Sequence, residues 1–494
     1  MMQTALSPFL IGGIILGYFI LLLIIAQFTS RSSDNNTFFL AGRQSPWYLV
    51  AFGMIGASLS GVTFISIPGV VGAGGLNMGY SYMQMVMGYV LGYVVIAEVL
   101  MPLYYSLNLT SIYGFLEKRI GWEAYKSGAA YFLLSRTIGA SFRMYLVAIV
   151  LQEFVTGPFG IPFWITVLIT IVLIWVYTFR AGIKTIVYTD TLQTLSMLAA
   201  VGLTIVAIVQ ALDWNFSTMV AEIRSGEYGQ MFFFENGWED PNYFWKQFIS
   251  GALITIVMTG MDQDMMQKNL SCRNIKEAKK NMYSFNVVLV FANLLFLTLG
   301  VLLYIFAAKE GIAIPEETDQ FYPTLALNYL PAGIGVLFVV GLIAAAYSSA
   351  DSALTSLTTA FCVDFLGFER VQRAAGLEKR WRIYTHIGFS TLLFVVIILF
   401  HAINEDAVIN QLFKAAGYTY GPILGLFLYA LTIKKKLKGG IVILVVLLSP
   451  VLSFVLDMYS AELLNGFSFG FLILAVNGAL TYTSLWILSA IQTR

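Results

Sequence analysis

Residues 335–361 read GVLFVVGLIAAAYSSADSALTSLTTAF. The stretch begins as an apolar helix and then places Ser348, Ser349, Asp351, Ser352, Thr355 and Ser356 within nine residues. At helical spacing Ala345 and Ser349 share one face, and Ser348, Asp351 and Ser352 form a neighbouring one. A carboxylate at membrane depth is costly unless it meets a cation, a hydrogen-bond partner or water. Hydroxyls and carbonyls with one carboxylate are hard oxygen ligands, suited to a weakly held alkali cation rather than a soft metal. Close packing between membrane helices also favours small residues. That accounts for the serines and leaves Asp351 unexplained.

The 494 residues are 58% hydrophobic and 11% charged, with a mean hydropathy of +0.79. Soluble domains carry roughly a quarter charged residues, so the chain reads as all-α and polytopic in a membrane. A formal net charge of +1 argues against a nucleic-acid partner. Two cysteines, Cys272 and Cys362, make neither a disulfide framework nor a metal pattern, and two histidines are too few for a histidine-based metal centre. The start, MMQTALSPFLIGG, has neither a basic leader nor a small-residue cleavage site, so no signal peptide is expected.

Apolar runs of spanning length, about 20 residues, occupy 8–28, 46–72, 79–106, 124–155, 161–179, 186–212, 246–267, 281–308, 332–363, 381–403, 409–432, 438–458 and 464–490. That predicts thirteen transmembrane helices. Alternate loops hold Arg31/Arg43, Lys118/Arg119, Arg180/Lys184, Lys268–Lys280, Arg370–Arg382 and Lys434–Lys438, whereas the others hold the acidic 213–240, Glu310–Asp319, Glu405/Asp406 and Asp457/Glu462. By the positive-inside rule the N-terminus lies outside and the C-terminus in the cytoplasm. The 213–245 loop has room for a short helix.

Spans two to six (46–212) and seven to eleven (246–432) make two sets of five, with an extra N-terminal helix (8–28) and two C-terminal helices (438–490). An odd number per set inverts the second copy, an arrangement common in secondary transporters. The first span of each set is interrupted. Gly53, Gly56 and Gly61 surround Ser58-Leu59-Ser60 in one, and Thr259-Gly260-Met261-Asp262-Gln263 interrupts the other. Glycine at such places lets a helix unwind and frees backbone groups for an ion or substrate. Gly88 and Gly92 form a GxxxG better suited to helix packing than to function.

Tyr177–Gln193, YTFRAGIKTIVYTDTLQ, resembles the signature of the sodium/solute symporter family, with Ala181 in place of one glycine and Tyr188 in place of a tryptophan. FFLAGRQSPWYL (38–49), GASLSGVTFISIPG (56–69), QDMMQK (263–268), the AAAYSSADSALTS core and GYTYGPILGLF (417–427) extend the resemblance over nearly the whole chain. It implies a leucine-transporter-type inverted-repeat fold and cation-coupled solute uptake. It also implies a principal Na+ site from the carbonyls of Gly56, Leu59 and Ala345 with the hydroxyls of Ser348 and Ser349. A second cation site, present in some members, would use Ser58, Ser348, position 351 and Ser352, with Asp190 below. Position 351 is usually a serine or threonine there, and Asp351 leaves three options: Na+, a proton, or a basic partner such as Lys414.

A substrate cavity belongs at mid-membrane between the two interruptions. Its candidates are Ser60, Thr63, Gln84, Arg136, Arg143, Thr259, Gln263, Phe413 and Lys414. Arg136 and Arg143 are two turns apart and share a face. An interior arginine can clamp a substrate carboxylate, or serve as structural partner to an acid such as Glu98 or Asp262. The expectation is a Na+-driven symporter of a small organic solute in a bacterial-type inner membrane, with no obligatory protein partner. The rival is a solute sensor of the same fold without sustained transport. No nucleophile–base pair or metal triad at a shared depth points to an enzyme.

Overall fold

The computed structural model describes residues 7–29, 39–178, 182–371, 375–403, 407–433, 435–437 and 439–492. Arg31, Arg180, Glu405, Asp406, Lys434, Lys438 and part of Arg370–Arg382, all used in the loop-charge reading, lie outside these, as do Phe38 and residues 179–181 of the quoted motifs. Among the described residues the fold is helical, and the nearest thing to strand pairing is one isolated bridge between Ser45 and Cys272.

Nine described helices are long and apolar enough to cross a membrane, and a bent pair makes a tenth. The other three expected spans are also helical but fail on length, continuity or polarity: Phe163–Thr178, the interrupted run Phe244–Leu270, and Val408–Thr432. The loop helix is present as Phe216–Ser225, capped by Asn215, whose side chain accepts from Thr218 N at 2.8 Å.

Both expected interruptions are real breaks. Trp47–Ser58 and Gly61–Val70 meet at 52°, with Leu59 (φ −80°, ψ 78°) and Ser60 (ψ −176°) out of the helical region between them. In the second set a π turn over Ile256–Gly260 runs into Met261 and an extended Asp262, which caps Gln263–Leu270. Such turns recur where a helix serves a site.

Packing places these breaks at the centre. Gly182–Ala211 lies along both Ala332–Ala360 and Trp47–Ser58, and Tyr82–Val95 lies along Phe244–Thr255. The GxxxG works as a contact. A Cβ at Gly88 would lie 2.1 Å from Phe248 O, and one at Gly92 2.8 Å from Ala252 O. The peripheral helix Ile441–Met458 instead exposes Leu447, Leu448, Val451 and Phe454, an apolar surface suited to lipid.

Candidate ion and substrate site

The serine-rich face of Ala332–Ala360 is buried throughout, with Ser348, Ser349, Asp351 and Ser352 all at 0% exposure. It meets the first broken helix at Gly56, where a Cβ would stand 3.0 Å from Ser348 Oγ and 2.4 Å from Thr194 Oγ1. Thr194 cannot simply turn away, because its hydroxyl donates to Phe52 O at 2.8 Å. Glycine is thus required by space rather than by backbone conformation. Ser349 Oγ donates to Ala345 O at 3.2 Å. Ser348 Oγ makes no hydrogen bond of acceptable geometry although Asp190 lies beside it. Leu59, the fifth predicted ligand, sits buried at the break itself. An unsatisfied buried hydroxyl beside Asp190 and the backbone of Gly56 fits a small oxygen-seeking cation. Among the described residues no group of His, Cys, Asp or Glu could hold a transition metal.

The residues expected to form a second cation site have other engagements. Asp190 Oδ2 accepts from Lys268 Nζ at 2.6 Å, both side chains at 0% exposure. Reading Lys268 as a cytoplasmic loop charge was wrong: it lies inside the fold on Gln263–Leu270. Ser352 Oγ donates to Asp264 Oδ1, and Ser58 faces the neighbouring cavity. Lys414 is exposed and makes no ion pair with Asp351, so the internal pairing considered for it does not form.

That cavity, ≈ 80 Å³, lies beside the first break. Six of the nine expected substrate residues line it: Ser60, Thr63, Arg136, Arg143, Thr259 and Phe413. Tyr82, Tyr89, Tyr93 and Asn293 also line it and were not singled out; aromatic residues in an apolar run give no sign of which face they occupy. Phe413 stacks on Tyr82 with ring centroids 6.5 Å apart.

Three expected substrate residues are elsewhere. Gln84 accepts from Phe233 N at 3.0 Å and donates to Asn242 O at 2.8 Å, so it anchors the 213–245 loop. Gln263 accepts from Ile112 N at 2.9 Å and donates to Thr110 O at 2.8 Å, bracing the separate loop at 107–113. Lys414, exposed, is absent from the lining. Both glutamines are fully buried and their amides satisfy backbone that helices leave unpaired.

The second break is sealed rather than open. Tyr104 and Tyr113 hydroxyls donate to Gly260 O and Met261 O at 2.8 Å each. Asp262 Oδ1 accepts from Asp264 N and Met265 N at 2.9 and 3.2 Å, and its Oδ2 accepts from Tyr420 OH at 2.5 Å. The first break keeps a carbonyl in play: Arg143 Nη1 donates to Ala57 O at 3.2 Å.

The two arginines differ. Arg136 forms a buried ion pair with Asp264, not with either acid expected for it. Glu98 pairs instead with Lys279 at 2.5 Å, and Asp262 is a helix cap. Arg143 is 8% exposed, and among the described residues it makes no ion pair and its Nε has no hydrogen-bond partner. Asp264 is the residue that sequence reasoning missed. Its one signal was a second acid directly after the break, in Asp262-Gln263-Asp264.

The sodium:solute symporter family matches residues 38–446. The chain is 25% identical to a sodium/sialic acid symporter of Aliivibrio fischeri, over 90% of this chain and 86% of that one. It is 23% identical to a sodium/sialic acid symporter of Proteus mirabilis, over 95% and 93%. Similarity at 23% also extends to the sodium/glucose cotransporter 1 of Oryctolagus cuniculus, covering 87% of this chain and 69% of that one. A Na+-coupled sialic acid symporter in a substrate-bound, outward-open state superposes with a TM-score of 0.81 at 19% identity, covering 96% of both chains.

Proposed function

We propose, since the chain belongs to the sodium:solute symporter family, that it drives a small carboxylate-bearing solute across a bacterial-type inner membrane with one Na+ per solute. Na+ sits among the carbonyls of Gly56, Leu59 and Ala345 and the hydroxyls of Ser348 and Ser349. The solute occupies the adjoining cavity, its hydroxyls against Ser60, Thr63 and Thr259 and its carboxylate toward Arg143 and Arg136. Sialic acid, which two similar proteins carry by name, has this chemistry and is the first solute to try.

The observation that carries this reading is Arg143: a buried arginine, 8% exposed, in a cavity wall without an ion-paired acid among the described residues. An unpaired guanidinium in low dielectric favours an anionic visitor and offers it a planar two-toothed contact. One ion per solute is supported by Lys268, whose ammonium already supplies the counter-charge to Asp190, and by Ser352, bound to Asp264. Residues 8–28, 46–212, 246–432 and 438–490 act as one transporter unit, with the N-terminus outside and the C-terminus inside.

The energetics suffice. A monovalent cation crossing ~100 mV gains about 2.3 kcal/mol, and a tenfold gradient adds about 1.4 kcal/mol. Together they sustain on the order of several hundredfold accumulation of a neutral solute; an anion moving with one Na+ carries no net charge and draws on the ion gradient alone. Uptake of labelled N-acetylneuraminate and of smaller carboxylates into proteoliposomes tests the reading. Na+-dependent uptake by the wild type, lost in Arg143→Gln, supports it, and uptake indifferent to Na+ contradicts it.

A further inference from the structure

Asp264 stands between the two sites. It lies on Gln263–Leu270, just past the second break, at 0% exposure. One carboxylate oxygen holds Arg136 from the cavity wall, and the other accepts from Ser352 on the ion-site helix. Ser352 is one turn beyond Ser348, whose hydroxyl is unsatisfied. Asp264 itself is not a cavity-lining residue, although its neighbour Met265 is. A buried carboxylate is therefore shared between a substrate-facing cation and a hydroxyl of the sodium-site helix.

We infer that Asp264 is an internal stand-in for the solute's carboxylate and the residue through which solute and sodium sense one another. Resting on the reading above, it adds the means of coupling. With the cavity empty, Arg136 beside Arg143 would put two positive charges together in low dielectric, and Asp264 neutralises one. An incoming carboxylate competes for Arg136. Asp264 then keeps Ser352 but loses its cation, and a buried carboxylate without one is strongly disfavoured. Its charge, held against Ser352 one helical turn from Ser348, draws Na+ into the neighbouring site. By linkage, bound Na+ favours the solute to the same degree. Asp264 acts as a positioning residue in this scheme and touches neither cargo.

The test needs no identified solute. Arg136→Gln mimics arrival of the anion by releasing Asp264, so 22Na+ binding to the purified protein alone should tighten about fivefold or more, the range of ordinary coupling between sites. Asp264→Asn leaves Arg136 uncompensated and should weaken Na+ binding. The Arg136→Gln/Asp264→Asn double variant should return near the wild type. Ser352→Ala placed on Arg136→Gln should abolish the gain, which separates a relay through the hydroxyl from simple long-range charge. A merely structural ion pair would lower stability in both single variants without opposite shifts in Na+ affinity. If Arg136→Gln does not fold, Asp264→Asn still decides: unchanged or tighter Na+ binding overturns the inference. Wild-type protein that binds no Na+ overturns the function reading and this inference together. Wild-type binding with same-direction shifts in the two single variants overturns this inference alone.

Discussion

Lys268→Met is the sharpest perturbation of the interior. Lys268 Nζ lies 2.6 Å from Asp190 Oδ2 with both side chains fully buried, and Asp190 Oδ1 has no hydrogen-bond partner. Methionine keeps the length of the side chain and removes its charge. Breaking one partner of such a pair costs about 3–5 kcal/mol, because the remaining charge is stranded. The stranded carboxylate stands beside Ser348, so Na+ can take the place of the missing ammonium. At a Na+ concentration ~100-fold above the dissociation constant, that binding returns about 2.7 kcal/mol. The variant should therefore be markedly less stable than wild type in choline buffer and recover most of the deficit in Na+ buffer, with K+ ineffective. Unfolding of the detergent-solubilised protein in the three salts reads this directly. Asp190→Leu/Lys268→Met should be stable in all three, since an apolar pair of similar volume often replaces a buried ion pair without loss. A deficit of equal size in choline and Na+ would refute the argument that Lys268 occupies a cation's place.

Three other substitutions follow from the same geometry. Ser349→Ala should raise the Na+ concentration for half-maximal uptake with little loss of stability, because its hydroxyl otherwise only bonds back to Ala345 O; unchanged Na+ dependence at matched expression removes it from the site. Arg143→Gln should weaken binding of N-acetylneuraminate and smaller carboxylates by about 10–100-fold, the range for a hydrogen bond to a charged group at about 1.5–3 kcal/mol, while 22Na+ binding persists. Gly88→Val should abolish folded, monodisperse protein on size-exclusion chromatography, since its Cβ would overlap Phe248 O at 2.1 Å; normal behaviour there would contradict the helix contact.

What the sequence disclosed, and what it did not, divides along physical lines. The breaks at Leu59–Ser60 and Met261–Asp262 were legible because glycine, serine and aspartate interrupt otherwise apolar runs. The serine face of Ala332–Ala360 was legible because helical spacing alone groups Ser348, Asp351 and Ser352. Partners were not legible, since an ion pair depends on which helix turns toward which. Lys268 follows a break and precedes a basic loop, so composition alone put it in water; only the fold shows it inside against Asp190. Asp262 and Asp264 are two residues apart, yet one caps a helix and the other holds Arg136. Gln84 and Gln263 look like solute ligands in an apolar setting, but buried backbone needs partners as much as a solute does. Spans are hardest to count where helices are short or broken, at 163–178 and 244–270.

Na+-driven uptake into proteoliposomes, read together with the ratio of 22Na+ flux to solute flux, tests the central claim most directly. An inward Na+ gradient with choline inside should accumulate labelled N-acetylneuraminate, or the carboxylate that binds in its place, above its outside concentration. The measured flux ratio should be one 22Na+ per solute. Collapse of the Na+ gradient should release the accumulated label. Label that equilibrates equally in Na+ and choline, or solute binding without any transmembrane exchange, would contradict the account.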